Sequence, residues 1–385
     1  MKFIELFSGI GGMGYGLMQA GFECVGFCEI DKHAHESYNL LHNKEKKMWE
    51  GWDVRNVTDD DIRGIERERG EISLIAAGFP CQSFSIAGQR RGFEDTRGTL
   101  VYEVFRFASI LRPKILLLEN VKGLLNHDKG RTFGIILSSL DELGYDAEWQ
   151  VLNSKNFGVP QNRERVFIVG YLRGTSRRKI FPIKRENGQY INVLGRLNNI
   201  KGFDLLKRLY DVNHISPTLN TGSSGSGKEP KIIVLGNTSK TNHKGHDVHD
   251  VDGLSPTIAA RDYKGAKQIL IKEATKKGYA VAEEGDSINI DQIGSKTRRG
   301  RVGKGIANTL ETTCNQAVYN NFRVRKLTPL EYFRLQSFPD EWYYELRNKG
   351  VSDSQLYKMA GNAVTSNLIY EIGSELKRNL QTDKK

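Results

Sequence analysis

Cysteine is scarce in this sequence, and long apolar runs are absent from it. The 385 residues include four cysteines, and no two of them form a Cys-x-x-Cys pair. Four thiols at this spacing are neither a disulfide framework nor a zinc motif, so we expect no metal site. No run approaches the ~20 apolar residues that a membrane-spanning helix needs, so we expect no membrane span.

The first residues also lack the pattern of a secretory leader. The stretch "MKFIELFSGIGG" contains the acidic Glu5 and carries no small-residue cleavage site. We therefore predict no signal peptide and a cytoplasmic protein. We also expect a monomer.

The chain has an excess of positive charge that is concentrated in its middle. The formal net charge is +11. Residues 1–190 hold 27 lysines and arginines against 25 acidic residues, whereas residues 191–324 hold 20 against 13. A basic segment of this kind indicates a surface for a polyanion such as nucleic acid. A lysine-rich face that contacts only solvent is the alternative.

Strand-like and helix-like patterns alternate over the first 171 residues. The apolar runs have strand length in "KFIELFS", "CVGFCEI", "ISLIAAGF", "KILLLEN" and "RVFIVGY", and helical patterns occur in "DKHAHESYNLLHN" and "TFGIILSSLDELG". This alternation predicts an α/β fold, with a parallel sheet and helices on both of its faces. We place this domain in residues 1–190, and we expect the amphipathic helices of residues 325–385 to complete it.

The middle of the chain, residues 191–324, is rich in Gly, Ser, Asn and Lys. The stretches "ISPTLNT" (215–221), "LSPTIAA" (254–260) and "IANTLET" (306–312) share one pattern, and each precedes a short apolar run. We interpret them as three hairpin-like units of a small, mostly β domain. Chance similarity between turn sequences is the alternative.

A glycine-rich stretch follows the first predicted strand. "GIGGMG" (9–14) fits the Gly-x-Gly-x-x-Gly pattern, and Glu29 lies 20 residues after Gly9 at the end of the next strand. Main-chain amides at a helix N-terminus bind an anionic group, and a carboxylate at the end of the second strand binds ribose hydroxyls. The pattern fits a dinucleotide oxidoreductase about as well as an enzyme with an adenosine-containing methyl donor.

Chemically active side chains follow other strands of the predicted sheet. Cys81 comes after a proline behind the run "ISLIAA", and Glu119 follows "KILLL". At the carboxyl ends of such strands a thiolate is accessible and a dehydrated carboxyl has a raised pKa. Arg163 and Arg165 lie on one face at the start of the predicted strand "RVFIVGY", and Glu164 lies on the opposite face. A structural cysteine and a helix-capping carboxylate are the alternatives.

The order of these motifs resembles that of the DNA cytosine-5 methyltransferases of bacteria and phages. The resemblance covers residues 3–171 and 325–370 and rests on "FSGIGG", "EID", "GFPCQSFS", "ENV", "QNRER", "RKLTPLEYFRLQSFPD" and "MAGNAV". It weakens in residues 191–324, where members of this family vary with their target sequence. It implies a Rossmann-like, S-adenosylmethionine-dependent methyltransferase domain with a smaller, mostly β target-recognition domain.

The resemblance also implies a role for each matching residue. Cys81 would be the nucleophile, and Glu119 would contact N3 and the exocyclic amine of cytosine. Arg165 would hold O2 of the base, with Arg163 beside the nucleophile. The residues implied to contact S-adenosylmethionine are Phe7, Gly9, Ile10, Gly11, Gly12, Glu29, Ile30, Asp53, Pro80, Leu100 and Asn362. Those expected at DNA are Gln82, Ser83, Ser85, Arg298, Arg299 and Arg301.

The implied roles agree with the chemistry of cytosine. C5 of cytosine is a poor nucleophile, and addition of a thiolate at C6 enables C5 to attack a methyl group. The base must first be flipped out of the duplex. We therefore expect double-stranded DNA as the partner, and a cognate restriction endonuclease acting on the same site can accompany the enzyme.

Two other functions stay open on the sequence alone. One is cytosine-5 methylation of tRNA, against which the separate basic segment argues. The other is an inactive DNA-binding regulator, against which the presence of Cys81, Glu119 and Arg165 argues.

Overall fold

The computed structural model of the chain describes most of both ends of the sequence and part of its middle. The described residues are 1–45, 47–80, 100–175, 179–183, 193–196, 208–210, 234–237, 247–249, 268–275, 277–291, 297, 299–313, 315–320 and 323–381. Five predicted site residues lie outside them, namely Cys81, Gln82, Ser83, Ser85 and Arg298.

Eight strands are described in the first 175 residues. They are β1 (Lys2–Leu6), β2 (Glu23–Cys28), β3 (Trp49–Gly51), β4 (Ile72–Gly78), β5 (Ile115–Val121), β6 (Tyr145–Asn153), β7 (Gln161–Asn162) and β8 (Glu164–Leu172). Seven of them form the central sheet, in the order β3-β2-β1-β4-β5-β8-β6. The order of the first five strands is that of a Rossmann-like sheet, which confirms the predicted fold class.

Helices cover both faces of this sheet. The helices of the N-terminal part are α1 (Gly12–Gln19), α2 (Lys32–His42), α3 (Asp59–Arg69), α4 (Leu100–Leu111) and α5 (Arg131–Glu142). Within β5, Leu116 and Leu118 belong to one apolar core with α3, α4 and α5, whereas Ile115 and Leu117 belong to a second core with α1. A strand that is buried on both sides reads as a continuous apolar run, and this is the pattern "KILLL" shows.

The sheet is not parallel throughout, and here the sequence-based expectation is corrected. β8 runs antiparallel to both β5 and β6. The connection from β6 to β8 spans only residues 154–163, and a parallel pair would need a crossover of a dozen or more residues. As a result, the first residues of β8 lie at the same edge as the last residues of β5, where Arg165 pairs with Val121.

Short strands make up the described part of the middle segment. They are β9 (Val193–Arg196), β10 (Arg208–Tyr210), β11 (Val234–Asn237), β12 (Asp247–His249), β13 (Gln268–Lys272), β14 (Tyr279–Ala282), β15 (Ser287–Asn289), β16 (Val302–Gly303), β17 (Ala307–Asn308), β18 (Gln316–Asn320) and β19 (Arg323–Lys326). The stretches 215–221 and 254–260 of the predicted repeat lie outside the described residues. The third stretch contains β17, which pairs with β7 of the first domain. The predicted domain boundary after residue 324 falls within β19.

Four helices follow the middle segment, and one of them returns to the central sheet. They are α6 (Pro329–Leu335), α7 (Asp340–Asn348), α8 (Asp353–Asn362) and α9 (Ser366–Gln381). Leu368, Ile369, Ile372 and Leu376 of α9 share the apolar core of α1. Within the described ranges, none of the helices is both long enough and apolar enough to span a bilayer.

The crossing of α1 and α9 gives a stability prediction. A Cβ atom at Gly16 would lie 2.6 Å from the Ile369 Cβ and 2.6 Å from the Ser366 main-chain oxygen. We expect Gly16→Ala to push the two helices apart and to lower the free energy of unfolding by about 1–3 kcal/mol. Urea denaturation followed by circular dichroism measures this loss.

The matched control is Gly134→Ala on the exposed face of α5. A Cβ atom there would meet no described atom within 4 Å. This substitution should raise the free energy of unfolding by about 0.5–1 kcal/mol, because alanine restricts the unfolded chain. Equal stability of the wild type and Gly16→Ala would contradict the close helix crossing.

Candidate active site

A cavity of about 690 Å³ lies at the carboxyl edge of the parallel strands. Its described walls include the ends of β1, β2, β4 and β5 and the end of α8. Strand order reverses between β1 and β4, and ligands of open α/β sheets bind at such a point. Twelve predicted site residues line this cavity, namely Phe7, Gly9, Gly12, Glu29, Ile30, Asp53, Pro80, Leu100, Glu119, Arg163, Arg165 and Asn362.

The turn after β1 has an unusual backbone. Phe7, Gly9 and Gly11 all have left-handed φ angles, of 56°, 55° and 90°. Glycine adopts this region without strain, but for a bulky residue such as Phe7 it costs about 1–3 kcal/mol and marks functional sites. The main chain of Ser8 is held by a bond from its N–H to the Cys28 carbonyl oxygen, at 3.2 Å. The turn is therefore fixed in its conformation at the wall of the cavity.

Glu29 fixes this turn from the side. Its Oε2 accepts a hydrogen bond from the Gly9 amide and its Oε1 accepts one from the Asp31 amide, both at 2.7 Å. Desolvation raises the pKa of the Glu29 carboxyl. Asp31 is joined in turn to Lys358 of α8, with 2.6 Å between Oδ2 and Nζ. The cavity wall is thus tied to the C-terminal helices by an ion pair.

Glu5 supports the same turn from beneath, and the sequence reasoning gave it no role in the site. Its side chain is buried within β1 and accepts hydrogen bonds from the Gly14 amide and the Tyr38 hydroxyl, each at 3.0 Å. Desolvation raises the pKa of Glu5 to about 8. The signal in the sequence was an acidic residue inside the apolar run "KFIEL".

Asp53 also lines the cavity and lies directly before a short helical turn (Val54–Asn56). Its carboxylate accepts bonds from the main-chain N–H and the guanidinium of Arg55, with Oδ2 2.6 Å from Nη2. These hydrogen bonds lower the pKa of Asp53. The carboxylate therefore stays ionised as an acceptor at the cavity wall.

Glu119 and Arg165 form the second centre of the cavity. Glu119 pairs with Phe167 across the ladder of β5 and β8, so Arg165, two residues earlier on β8, is its diagonal neighbour. Glu119 Oε1 lies 3.1 Å from Arg165 Nε, and both side chains are largely buried. Desolvation raises the pKa of Glu119 and outweighs the opposing effects of Arg165 and Arg163. A raised pKa favours the protonated form of this carboxyl more than is usual for a glutamate.

Arg163 is more deeply buried than Arg165 and has a different set of partners. Its guanidinium, in a side chain only 3% exposed, donates to the main-chain oxygens of Leu310, Gly361 and Ala363 at 2.7–3.1 Å. Its Nε has no partner among the described residues. The three acceptors belong to the middle segment and to the stretch that carries Asn362. Arg163 therefore joins these segments to the start of β8.

Two buried glutamines extend this junction. Gln161 donates to the Leu335 carbonyl oxygen at 2.7 Å and accepts from the Leu310 amide at 3.2 Å. Gln336 donates to the Ala360 carbonyl oxygen at 2.7 Å. Buried polar groups are stable only when they are paired, so these bonds fix the relative position of α6, α8 and the middle segment.

Asn120 anchors the chain close to the predicted nucleophile. Its Nδ2 donates to the Phe79 carbonyl oxygen at 2.8 Å, and its Oδ1 accepts from the Val121 amide at 2.8 Å. Phe79 precedes Cys81 by two residues. Asn120 is therefore a positioning residue for the strand end from which Cys81 follows, and the sequence reasoning used only its neighbour Glu119.

Two residues of the glycine stretch are not brought to the cavity. The Ile10 side chain is fully buried in the apolar core of α6, α7 and α8. A Cβ atom at Gly11 would lie 2.4 Å from His42 Nε2, so this glycine packs against α2. Neither residue is among the described residues that line the cavity, so the expectation that this part of the loop faces the cofactor stays a prediction.

Arg301 does not lie at a DNA-accessible surface, which corrects its predicted role. It is 2% exposed, and its guanidinium donates to the main-chain oxygens of Asn289 and Asp291. A guanidinium that satisfies carbonyls inside a small β sheet is not available to a phosphate. Arg299 is exposed and donates to the Ala274 carbonyl oxygen at 2.8 Å, so its role stays a prediction.

The lining fits a ligand with a nucleoside and a positive charge. The carboxylates of Glu29 and Asp53 line the cavity and can accept hydrogen bonds from hydroxyl and amine groups of a ligand. Glu5 is a third acidic residue in the lining. The buried Ser8 hydroxyl lines the cavity and has no partner among the described residues. Buried polar groups without a partner point to a missing ligand or water. No group of three or more metal-binding side chains occurs within the described ranges.

The fold and this site together define the class of Rossmann-like methyltransferases. Within that class, the chain belongs to the C-5 cytosine-specific DNA methylase family, whose sequence model matches residues 1–378. The protein is therefore a DNA methyltransferase that acts on cytosine, and the oxidoreductase alternative is set aside.

Individual relatives match along almost the whole chain. The orphan methyltransferase M.SPRI of Bacillus phage SPR is 33% identical, and the match covers 98% of this chain and 97% of that one. The type II methyltransferase M.NlaX of Neisseria lactamica is 32% identical, with 98% and 97% covered. Among solved structures, a prophage-encoded Escherichia coli protein described as a DNA modification methyltransferase has a TM-score of 0.59 at 19% identity, covering 99% of both chains. That structure shows the shared fold.

The raised pKa of Glu5 gives a prediction on stability and pH. The usual glutamate pKa is about 4.3, and the folded protein raises it to about 8. Between these two values the folded chain keeps a proton that the unfolded chain has lost, so the unfolding free energy falls as pH rises. Above about pH 8 this fall stops, because both states are then ionised.

Comparison with Glu5→Gln isolates this effect. The variant lacks the titrating group, so the stability of the wild type should decline relative to the variant from pH 5 to pH 8 and level off at pH 9. Urea unfolding at these pH values gives both curves. Parallel curves would show that Glu5 ionises at its ordinary pKa in the folded protein.

Proposed function

We propose that this protein transfers a methyl group from S-adenosylmethionine to C5 of a flipped-out cytosine in duplex DNA, through a bond between Cys81 and C6. The observation that carries the proposal is the Glu119–Arg165 pair, held in the same cavity as the glycine turn and Glu29. An acid and a cation side by side suit the N3 and O2 atoms of one pyrimidine.

The cofactor would be held by the residues of the first centre. Glu29 would accept the ribose hydroxyls, Asp53 the adenine amine, and Ile30 would pack on the purine. Phe7, the glycine turn, Pro80, Leu100 and Asn362 would line the remainder. When bound there, S-adenosylmethionine supplies an electrophilic methyl group.

The residues of the second centre would activate the base. The Cys81 thiolate adds to C6, and the electron pair displaced from the C5–C6 double bond moves toward N3 and O2. Glu119 in its protonated form donates at N3, and Arg165 stabilises the developing charge at O2. After C5 is methylated, loss of its proton and expulsion of the thiolate restore the ring. No described side chain is an evident base for that proton, so we assign the step to a bound water.

The proposal takes duplex DNA as the substrate and needs no second protein. The family description names DNA, which favours DNA over the tRNA alternative. The relative M.SPRI is called an orphan methyltransferase, so we include no endonuclease partner. Flipping the base costs a few kcal/mol of stacking and pairing, and contacts from the middle segment, with Arg298 and Arg299, would offset this cost.

The covalent route is tested at Cys81. Cys81→Ala should abolish methyl transfer and leave DNA binding within a few-fold of wild type, because only the nucleophile is lost. The wild type should form a denaturant-stable adduct on DNA that carries 5-fluorocytosine, since the fluorine cannot be eliminated as a proton is. Transfer of tritiated methyl groups and denaturing gels measure both.

Cys314→Ser is the control for the loss of a thiol elsewhere, and it should keep activity and trapping. A duplex and a tRNA offered in competition identify the substrate. An active wild-type enzyme that gives no adduct would falsify the thiolate route, and preferential methylation of tRNA would overturn the DNA assignment.

The acidic partner is tested by a matched pair of glutamates. Glu119→Gln cannot release or regain a proton at N3, so we expect kcat to fall by about 10²–10³-fold, with unchanged affinity for S-adenosylhomocysteine. Glu164→Gln is the control, because Glu164 lies next to Arg165 but pairs with exposed Lys122 outside the cavity. Single-turnover methylation and calorimetry separate the two effects, and equal losses in both variants would contradict the role of Glu119.

A further inference from the structure

An exposed tryptophan lies in the cavity wall. The Trp52 side chain is 50% exposed and lines the cavity directly before Asp53. One face of its indole is covered by the imidazole of His35, with ring centroids 3.7 Å apart and ring planes within 8° of parallel. A large apolar ring that is half exposed and stacked on one side leaves its second face for another flat group.

The ring beneath this tryptophan is firmly held. His35 is buried, its Nδ1 lies 3.1 Å from the Glu29 carbonyl oxygen, and its Nε2 lies 3.4 Å from Glu50 Oε2. The Trp52 carbonyl oxygen also accepts a bond from Cys28 Sγ at 3.3 Å. Both the ring and its main chain are therefore fixed before any ligand binds, which reduces the entropy lost on binding.

The contacts of His35 also locate the indole along the cavity. Because the imidazole touches the main chain of Glu29, the ring stacked on it lies at the Glu29 end and not at the Glu119–Arg165 end. Ile30, which is 61% exposed, is at this same end. An aromatic face, an aliphatic side chain and the Asp53 acceptor are thus gathered beside the acid assigned to the ribose.

We propose that Trp52 is a stacking residue for the purine ring of the nucleoside cofactor, with His35 as its support. The inference rests on the proposed function, because it assumes that Glu29 marks the nucleoside end of the site. Residues 52 and 53 then contact one purine in two ways, the indole at its face and the carboxylate at its amine. Stacking of a base on an aromatic side chain contributes to affinity whatever the rest of the ligand does.

Calorimetric titration of the full-length protein with S-adenosylhomocysteine tests this. Trp52→Leu should weaken binding about 10-fold or more, and Trp52→Phe should stay within about 3-fold of wild type, because it keeps an aromatic face. The matched control is Trp149→Leu on β6, where a tryptophan of 46% exposure lies outside this cavity. It should bind as the wild type does.

Two further readouts identify the part of the ligand that is contacted. Adenosine as a competitor should lose affinity for Trp52→Leu, whereas methionine should not. Ligand should also quench tryptophan emission in the wild type, and Trp52→Phe should lose most of this quenching although three other tryptophans remain. The fluorescence result decides the question if Trp52→Leu fails to fold.

The outcomes separate this inference from the proposed function. A wild type that binds S-adenosylhomocysteine, with Trp52→Leu binding equally well and Trp52→Phe still fully quenched, overturns the stacking role and leaves the methyltransferase assignment intact. A wild type that binds no S-adenosylhomocysteine overturns the proposed function and, with it, the inference.

Discussion

The contacts of Arg163 determine how the parts of this site are held together. Its guanidinium donates to Leu310, Gly361 and Ala363, which lie 147 to 200 residues further along the chain. Burial, followed by the nearby charge of Arg165, lowers the pKa of this guanidinium, so its carbonyl partners are what make a buried cation tolerable. The start of β8, the middle segment and the stretch with Asn362 consequently share one fixed point, next to Glu119 and Arg165.

The direction of β8 explains why Glu119 and Arg165 lie together. In a wholly parallel sheet the start of each strand lies at the edge opposite the ligand site. Because β8 is antiparallel, its first residues lie beside the last residues of β5, and Arg165 becomes the diagonal neighbour of Glu119. The short connection after β6 enforces this direction. The short connection between β6 and β8 thus places an acid and a cation at the same edge of the sheet.

The sequence predicts those features that depend on near neighbours or on burial of whole segments. The five apolar runs are all strands, since a strand covered on both faces buries mostly apolar side chains. β6 was missed because it is a half-exposed edge strand with mixed side chains. The burial of Arg301 and the stacking of Trp52 on His35 could not be predicted, because each depends on residues brought together only by the fold. The cavity itself gathers its walls from residues 5 to 364.

The charges of the cavity are divided between its two centres, and this division follows from the fold. Glu29 holds the glycine turn through the Gly9 amide and Glu5 holds the start of α1 through the Gly14 amide. The charge of Glu29 adds to desolvation and raises the pKa of Glu5 further. At the other centre two arginines flank the single acid Glu119. In the proposed reaction, a cationic sulfonium would relieve the acidic end, and a pyrimidine that gains negative charge would be stabilised at the basic end. The methyl group would then move from the end of the cavity that favours a positive charge to the end that favours a negative charge. During this transfer the positive charge of the sulfonium and the negative charge of the activated pyrimidine are both neutralised.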